Sequence, residues 1–190
     1  MTFQAFDDRM MAKEGCFMKE EMRSRIVATV QDFHLPRYHE VPDVGLYLEQ
    51  VTSYISGALS SLQSISITGS MISNYVKKDL VSNPIKKRYS RDQIVALICI
   101  AVTKTVLTLE DIQVLLAMQR RLGDNCTVYN FFCEELEGAL ADVFGIGPAP
   151  QCLPADVMDE QLLIRKAVVA VAHKLYLDTY LRVLAESERA

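Results

Sequence analysis

Six cationic side chains crowd a short stretch of this 190-residue chain. Lys77, Lys78, Lys86, Lys87, Arg88 and Arg91 lie between positions 68 and 91 against a single carboxylate, Asp79, for a local net charge of +5. The flanks run the other way, at −3 over residues 1–67, zero over 92–121 and −6 over 122–190, so that the whole chain carries −4. A cationic island of this kind recruits phosphate by releasing condensed counterions, while an acidic remainder limits indiscriminate binding.

The island has geometry as well as charge. On a helix of 100° per residue, Ser70, Ser73, Asn74, Lys77 and Lys78 fall within an arc of roughly 140°. Met71, Ile72, Tyr75, Val76 and Leu80 take the opposite side. Such a helix buries one face and presents hydroxyls, a carboxamide and ammonium groups on the other. Asn pairs bidentately with adenine, and Lys reaches guanine or phosphate. Lys86, Lys87 and Arg88 follow Pro84 on a turn, where they can hold an adjacent nucleic-acid backbone. On charge alone, an ordinary solvated lysine face is the commoner explanation of such a pattern.

The remaining reactive side chains form no catalytic signature. The sequence has no G-x-S-x-G, no phosphate-cradling lysine loop, no dinucleotide fingerprint and no H-E-x-x-H, so no enzyme, resident metal or cofactor is expected. Five cysteines (Cys16, Cys99, Cys126, Cys133 and Cys152) are odd in number and lack C-x-x-C spacing. They read as free thiols of a reducing cytoplasm. Cys126 and Cys133, seven residues apart, share a helix face and with Cys152 suggest a thiol sensor, but buried cysteines acting as small hydrophobes are the stronger reading. His34 and His39, beside Arg37, Tyr38 and Glu40, read as pins of a proline-bounded connector rather than an acid–base cluster. His173 reads as a satisfied helix histidine, and Tyr47, Tyr54 and Tyr129 as core.

The elements that must position these groups are helical. Half the residues are hydrophobic and 23% are charged, which suits a folded chain. Helical periodicity predicts a loose helix over 7–30, an irregular connector from His34 to Pro42, and a helix over 45–59 carrying Leu48, Val51, Ile55 and Leu59. A polar connection from Ser60 to Ile67 leads to Thr68, which caps a helix over 69–80. Ser90 with Gln93, and Thr108 with Asp111, place a capping hydroxyl three residues before a side chain able to reach back. These open helices over 91–105 and 109–121. Two further helices, 126–144 and 156–187, flank the breaker Gly145-Ile-Gly-Pro-Ala-Pro150. The expected fold is all-α, with one small turn or wing at Ser82–Tyr89. Three parts are expected: an N-terminal helical arm (1–34), a central unit (35–122) and a C-terminal helical part (123–190).

The run from Ile67 to Val81, then Pro84-Ile-Lys-Lys-Arg-Tyr-Ser90, Arg91-Asp-Gln-Ile94 and Leu107-Thr-Leu-Glu-Asp-Ile-Gln-Val-Leu-Leu116, resembles the DNA-binding domain of MerR-type regulators. With Leu35-Pro-Arg-Tyr-His-Glu-Val-Pro42 in front, the chain is similar to an uncharacterised bacterial family catalogued as domain of unknown function number eighteen thirty-six. The resemblance runs from Leu35 to Leu116. It implies a winged helix-turn-helix, with Ser73, Asn74, Tyr75 and Lys77 on the recognition helix, Lys86, Lys87 and Arg88 on the wing, and Tyr89 as the aromatic that closes it. The chain departs from the MerR pattern at Ser73 (Arg there), at Asn74 (an aromatic), at Asp79 (Gly) and in its abbreviated wing. A left-handed C-cap at Asp79 is expected to be strained.

The expectation is a cytoplasmic regulator that binds double-stranded DNA through Ser70, Ser73, Asn74, Lys77, Lys78, Lys86, Lys87, Arg88, Tyr89 and Arg91. Leu162, Leu163, Val169, Leu175, Leu177, Tyr180, Leu181 and Leu184 make the last helix too apolar to face water alone, which suggests core plus a homodimer interface, with room for a small-molecule effector. The alternatives are an all-α protein-interaction module that keeps the helix-turn-helix frame, and a helical protein that binds a small molecule with no output on DNA. The longest uncharged apolar stretch, Gln93 to Thr103, is too short to span a bilayer, and the acidic N-terminus does not read as a secretion signal.

Overall fold

A computed structural model describes residues 20–119, 122–148 and 158–189. Within them the chain forms α1 (residues 20–28), a 3-10 turn (Tyr38–Glu40), β1 (Leu46–Tyr47), α2 (Leu48–Ala58), α3 (Gly69–Lys77) and β2 (Arg88–Tyr89). Then come α4 (Arg91–Thr103), α5 (Leu109–Gln119), α6 (Asn125–Val143) and α7 (Asp159–Ser187). The fold is mostly helical, as expected. The portions of the expected helices at 7–19, 120–121 and 156–157 lie outside the described residues.

α4 is the axis of the structure. Ten of its thirteen residues are buried, and it packs against α2, α6 and α7. Its run of Ile94, Val95, Ile98, Ile100 and Val102 is rich in β-branched side chains, which by propensity suit a strand. The capping box and burial on all sides make it a helix. Ser90 Oγ accepts from Gln93 N–H at 3.4 Å, while Gln93 Oε1 accepts from Ser90 N–H at 2.8 Å. α5 opens in the same way, Thr108 Oγ1 accepting from Asp111 N–H at 3.2 Å. α6 and α7 share the most extensive helix–helix packing, built on Phe132, Leu136, Leu140, Ile164, Val168 and Val171. Inside it the carboxylate of Glu135 is paired with Arg165.

Helix ends reveal how the chain turns. α6 stops in a Schellman arrangement: Gly145 sits at φ 69, and Ile146 N–H reaches back to Ala141 O at 2.9 Å. α3 stops in the same way, Leu80 N–H donating to Tyr75 O at 3.0 Å. There the left-handed position is taken by Asp79 at φ 57, the strained departure anticipated from the sequence.

The structure corrects three local expectations. The helix expected from residue 45 begins at Leu48, because Leu46 and Tyr47 pair antiparallel with Tyr89 and Arg88 in a two-stranded ladder. Tyr47, expected in the core, is 47% exposed as a result. The helix expected to reach residue 80 ends at Lys77, so Asp79 and Leu80 form its cap instead of its last turn. Ser60–Ile67 is a connection, as expected, with Leu62, Ile65 and Ile67 buried. Among the described residues no helix is long and apolar enough to cross a membrane.

Candidate nucleic-acid interface

α3 presents the polar face that its periodicity predicts. Ile72 and Tyr75 are buried, while Ser70, Asn74, Lys77 and Lys78 are exposed and Ser73 is half-buried. Thr68 caps the helix, its Oγ1 accepting from Met71 N–H at 3.3 Å and lying 2.9 Å from Ser70 Oγ. Ser73 Oγ donates back to Gly69 O at 2.9 Å, which turns its hydroxyl onto its own helix. Lys78 Nζ lies 3.2 Å from Glu110 Oε1 in the first turn of α5. The Glu110 carboxyl is held below its ordinary value by its own backbone N–H first and by Lys78 second. Both partners are exposed, so the pair adds little stability and leaves Lys78 able to exchange partners.

The second cationic group sits on a two-residue turn. Ile85 and Arg88 form an isolated antiparallel bridge, and Arg88 N–H donates to Ile85 O at 2.9 Å. Between them Lys86 and Lys87 adopt φ 51 and φ 64, the left-handed pair of a type I′ hairpin turn. That turn ordinarily takes Asn-Gly; two lysines there are backbone outliers, both exposed. Arg88 is exposed, its guanidinium 5.0 Å from the centre of the Tyr47 ring and 3.3 Å from the Tyr47 hydroxyl. Gly45 makes this approach possible, since a Cβ there would lie 2.8 Å from Arg88 Cβ.

Two of the expected binding residues turn inward. Tyr89 is 5% exposed and belongs to the core, with burial raising its ionisation above the ordinary range. Arg91 is half-buried: its Nε donates to Val41 O at 2.8 Å, and its guanidinium faces the Tyr38 ring at 5.2 Å. Both hold the base of the hairpin and offer little to a ligand. No hydrogen bond or ion pair joins the α3 group to the turn group among the described residues. α2 brings them together by packing against both α3 and β2.

The charge map gave no sign of the residues that hold this platform in place. Glu137 on α6 accepts from Leu35 N–H at 2.9 Å, from Arg37 at 2.8 and 2.6 Å, and lies 3.1 Å from His34 Nδ1. Asn130 Oδ1 accepts from Tyr38 N–H at 2.9 Å, and the Tyr38 hydroxyl donates to Asp92 at 2.6 Å. That bond, with burial, pushes the Tyr38 hydroxyl up to about 12. The connector residues 34–40 are thus clasped between α6 and the start of α4; of the two histidines read as pins, His34 joins this clasp through Glu137. Pro36 and Pro42 were the available signal that this connector is fixed.

Thiols and histidines assemble no metal centre among the described residues. Cys99 and Cys133 are buried and free, and burial pushes Cys133 up to about 11. Cys126 is half-exposed, its Sγ 3.5 Å from His39 Nε2. His173 is exposed on α7, and Cys16 and Cys152 lie outside the described residues.

Comparison with known proteins gives one family. Residues 36–132, just over half of the chain, match the family described as Domain of unknown function (DUF1836). The matched stretch begins in the connector, takes in the whole cationic strip and ends inside α6. No curated protein and no solved structure matches the chain.

Proposed function

Because the chain belongs to the DUF1836 family, and the matched segment contains both cationic groups, we propose that it is a sequence-specific regulator that binds double-stranded DNA. α3 enters the major groove in a MerR-like winged helix-turn-helix, with the Lys86–Lys87 turn as a minimal wing on the neighbouring phosphates. The observation that carries this reading is the pair of lysines held left-handed at a hairpin tip. Stability alone favours Asn-Gly at such a tip; two lysines there place charge at the cost of backbone strain. Asn74 and Lys77, exposed and without side-chain partners among the described residues, supply the base-edge contacts. The cytoplasm, where free thiols persist, is the compartment this reading assigns.

The test is retention of genomic duplex fragments as salt is varied. Lys77, Lys86, Lys87 and Arg88 are the exposed cations of the 68–91 strip with no carboxylate partner among the described residues. Neutralising about four phosphates gives a log–log salt slope near −3.6. Asn74→Ala relaxes base preference, whereas Lys87→Ala weakens all sequences alike. No retention of any duplex at low salt ends the proposal.

α7 favours a two-fold assembly. Leu163, Ala170, Leu177 and Leu181 form one stripe along the helix, and Leu177 and Leu181 are 56% and 60% exposed. In the regulator reading this stripe is the homodimer seam that sets two α3 helices about one DNA turn apart. The same stripe supports the second reading, an interaction module whose partner is another protein. Sedimentation of Leu177→Lys separates them: a dimer that becomes monomeric and loses cooperative duplex binding fits the regulator. A monomeric wild type whose protein partner survives nuclease and high salt fits the module.

A further inference from the structure

Among the described residues one thiol stands apart from the other two. Cys99 and Cys133 are buried, as small hydrophobes are, while Cys126 is half-exposed at the second position of α6. Its Sγ lies 3.5 Å from His39 Nε2 of the connector and 3.6 Å from Asn130 Nδ2, one turn along its own helix. A nucleophile with a base in reach and a third group fixing the geometry is the arrangement that covalent thiol chemistry requires.

The neighbouring hydrogen bonds decide which way the protons point. Asn130 Oδ1 accepts from Tyr38 N–H at 2.9 Å, so Nδ2 is the end of the carboxamide turned to the sulfur. That nitrogen only donates, which makes Cys126 Sγ its acceptor. The thiol proton then has His39 Nε2 as its acceptor, in the tautomer that carries its own proton on Nδ1. The charged and titratable groups around the pair are already engaged. The Asp124 carboxylate is taken up by Thr127. Tyr38 meets the His39 ring edge-on at 5.5 Å, and its hydroxyl, pushed up to about 12, stays neutral. Behind Tyr38 stand Arg91 against its ring and Asp92 on its hydroxyl.

We propose that Cys126 is a thiol–disulfide exchange site that takes up a small aliphatic disulfide, and that the adduct loosens the clasp on the connector. Cys126 Sγ attacks one sulfur of the reagent; the reagent's S–S bond breaks as a new S–S bond to Cys126 forms. Cys126 is oxidised to the disulfide level, and the departing half is reduced to a thiol. His39 Nε2 takes the Cys126 proton during the attack and returns it to the departing thiolate. Asn130 is the joint through which the adduct acts. One end of its carboxamide meets Sγ, the other holds Tyr38 N–H, and the Tyr38 hydroxyl reaches Asp92 at 2.6 Å. A substituent on the sulfur displaces that carboxamide, and with it the tie between the connector and the first turn of α4. None of this depends on the duplex-binding reading.

The full chain is treated with bis(2-hydroxyethyl) disulfide, residual thiols are trapped, and adducts are located by mass spectrometry of peptides. At pH 7, Cys126 is thiolated at least about tenfold faster than Cys99 and Cys133. His39→Gln, a change at an exposed position, slows Cys126 by about tenfold or more at pH 7. At pH 9.5, where thiols ionise without a base, the same variant reacts at the wild-type rate; a merely steric role for His39 would slow both. The Cys126 adduct lowers the melting midpoint by about 3–5 °C, an effect reversed by dithiothreitol and missing when Cys126→Ser is treated alike. If Cys126 reacts no faster than the two buried thiols, or if His39→Gln matches the wild type at pH 7, the site is overturned. An adduct that forms as described and leaves the midpoint unmoved retires the coupling and keeps the site.

Discussion

Lys86 and Lys87 pose the clearest conflict between local preference and display. An L-residue in the left-handed region costs about 1–2 kcal/mol, and two consecutive residues of this hairpin occupy it. Replacing them by the preferred pair, Lys86→Asn with Lys87→Gly, therefore raises the unfolding free energy by about 1–2 kcal/mol. The same double substitution lowers duplex affinity and flattens the salt slope by about two contacts' worth, roughly 1.8. Chemical denaturation and salt-dependent binding of one protein read both changes. A double variant that is more stable yet binds unchanged would show that the tip lysines face solvent and nothing else.

At the scale of elements, caps and close approaches decide where the platform starts and stops. Asp124 caps α6, accepting from Thr127 N–H at 3.0 Å and from the Thr127 hydroxyl at 3.0 Å, and these bonds hold its carboxyl below the ordinary 3.8. A depressed carboxylate contributes stability that is fully present above that ordinary value and is lost as pH falls through the lower folded one. Asp124→Asn, a capping residue that does not titrate there, makes the melting midpoint less sensitive to acid as pH falls from 5 to below the ordinary 3.8. Gly45 decides whether the β1–β2 ladder can form: Gly45→Ala forces the backbone away from Arg88, costs about 1–3 kcal/mol and weakens duplex binding through the displaced turn. The caps at Thr68, Ser90 and Thr108 were legible because each needs only a hydroxyl and its neighbours within a few residues. Equally local were the amphipathic face of α3 and the strain at Asp79. The ladder was not legible, because Leu46–Tyr47 and Arg88–Tyr89 are two-residue strands joined across some forty positions, and so short a run has no periodicity. Tyr47 was misplaced for that reason, and Tyr89 was read as a contact because the resemblance made it the aromatic that closes the wing, a position that the structure buries.

For the whole molecule, the clasp at Glu137 matters more than any surface charge. A carboxylate that takes the Arg37 fork and the Leu35 N–H joins the connector to a helix a hundred residues later. Glu137→Ala leaves those donors unmatched and lowers the unfolding free energy by about 2–3 kcal/mol, read from urea denaturation of the full chain. The sequence suggested a soft boundary near Gly123, since composition and charge change there. Composition registers what lies along the chain and is blind to a bond between positions 37 and 137. The clasp therefore makes the DUF1836 segment and the C-terminal helices partners in one melting event. A chain shortened at Gly123 would forfeit the half of its own keystone that lies beyond the cut, and a protease nick at that glycine should leave two fragments that travel together until denatured.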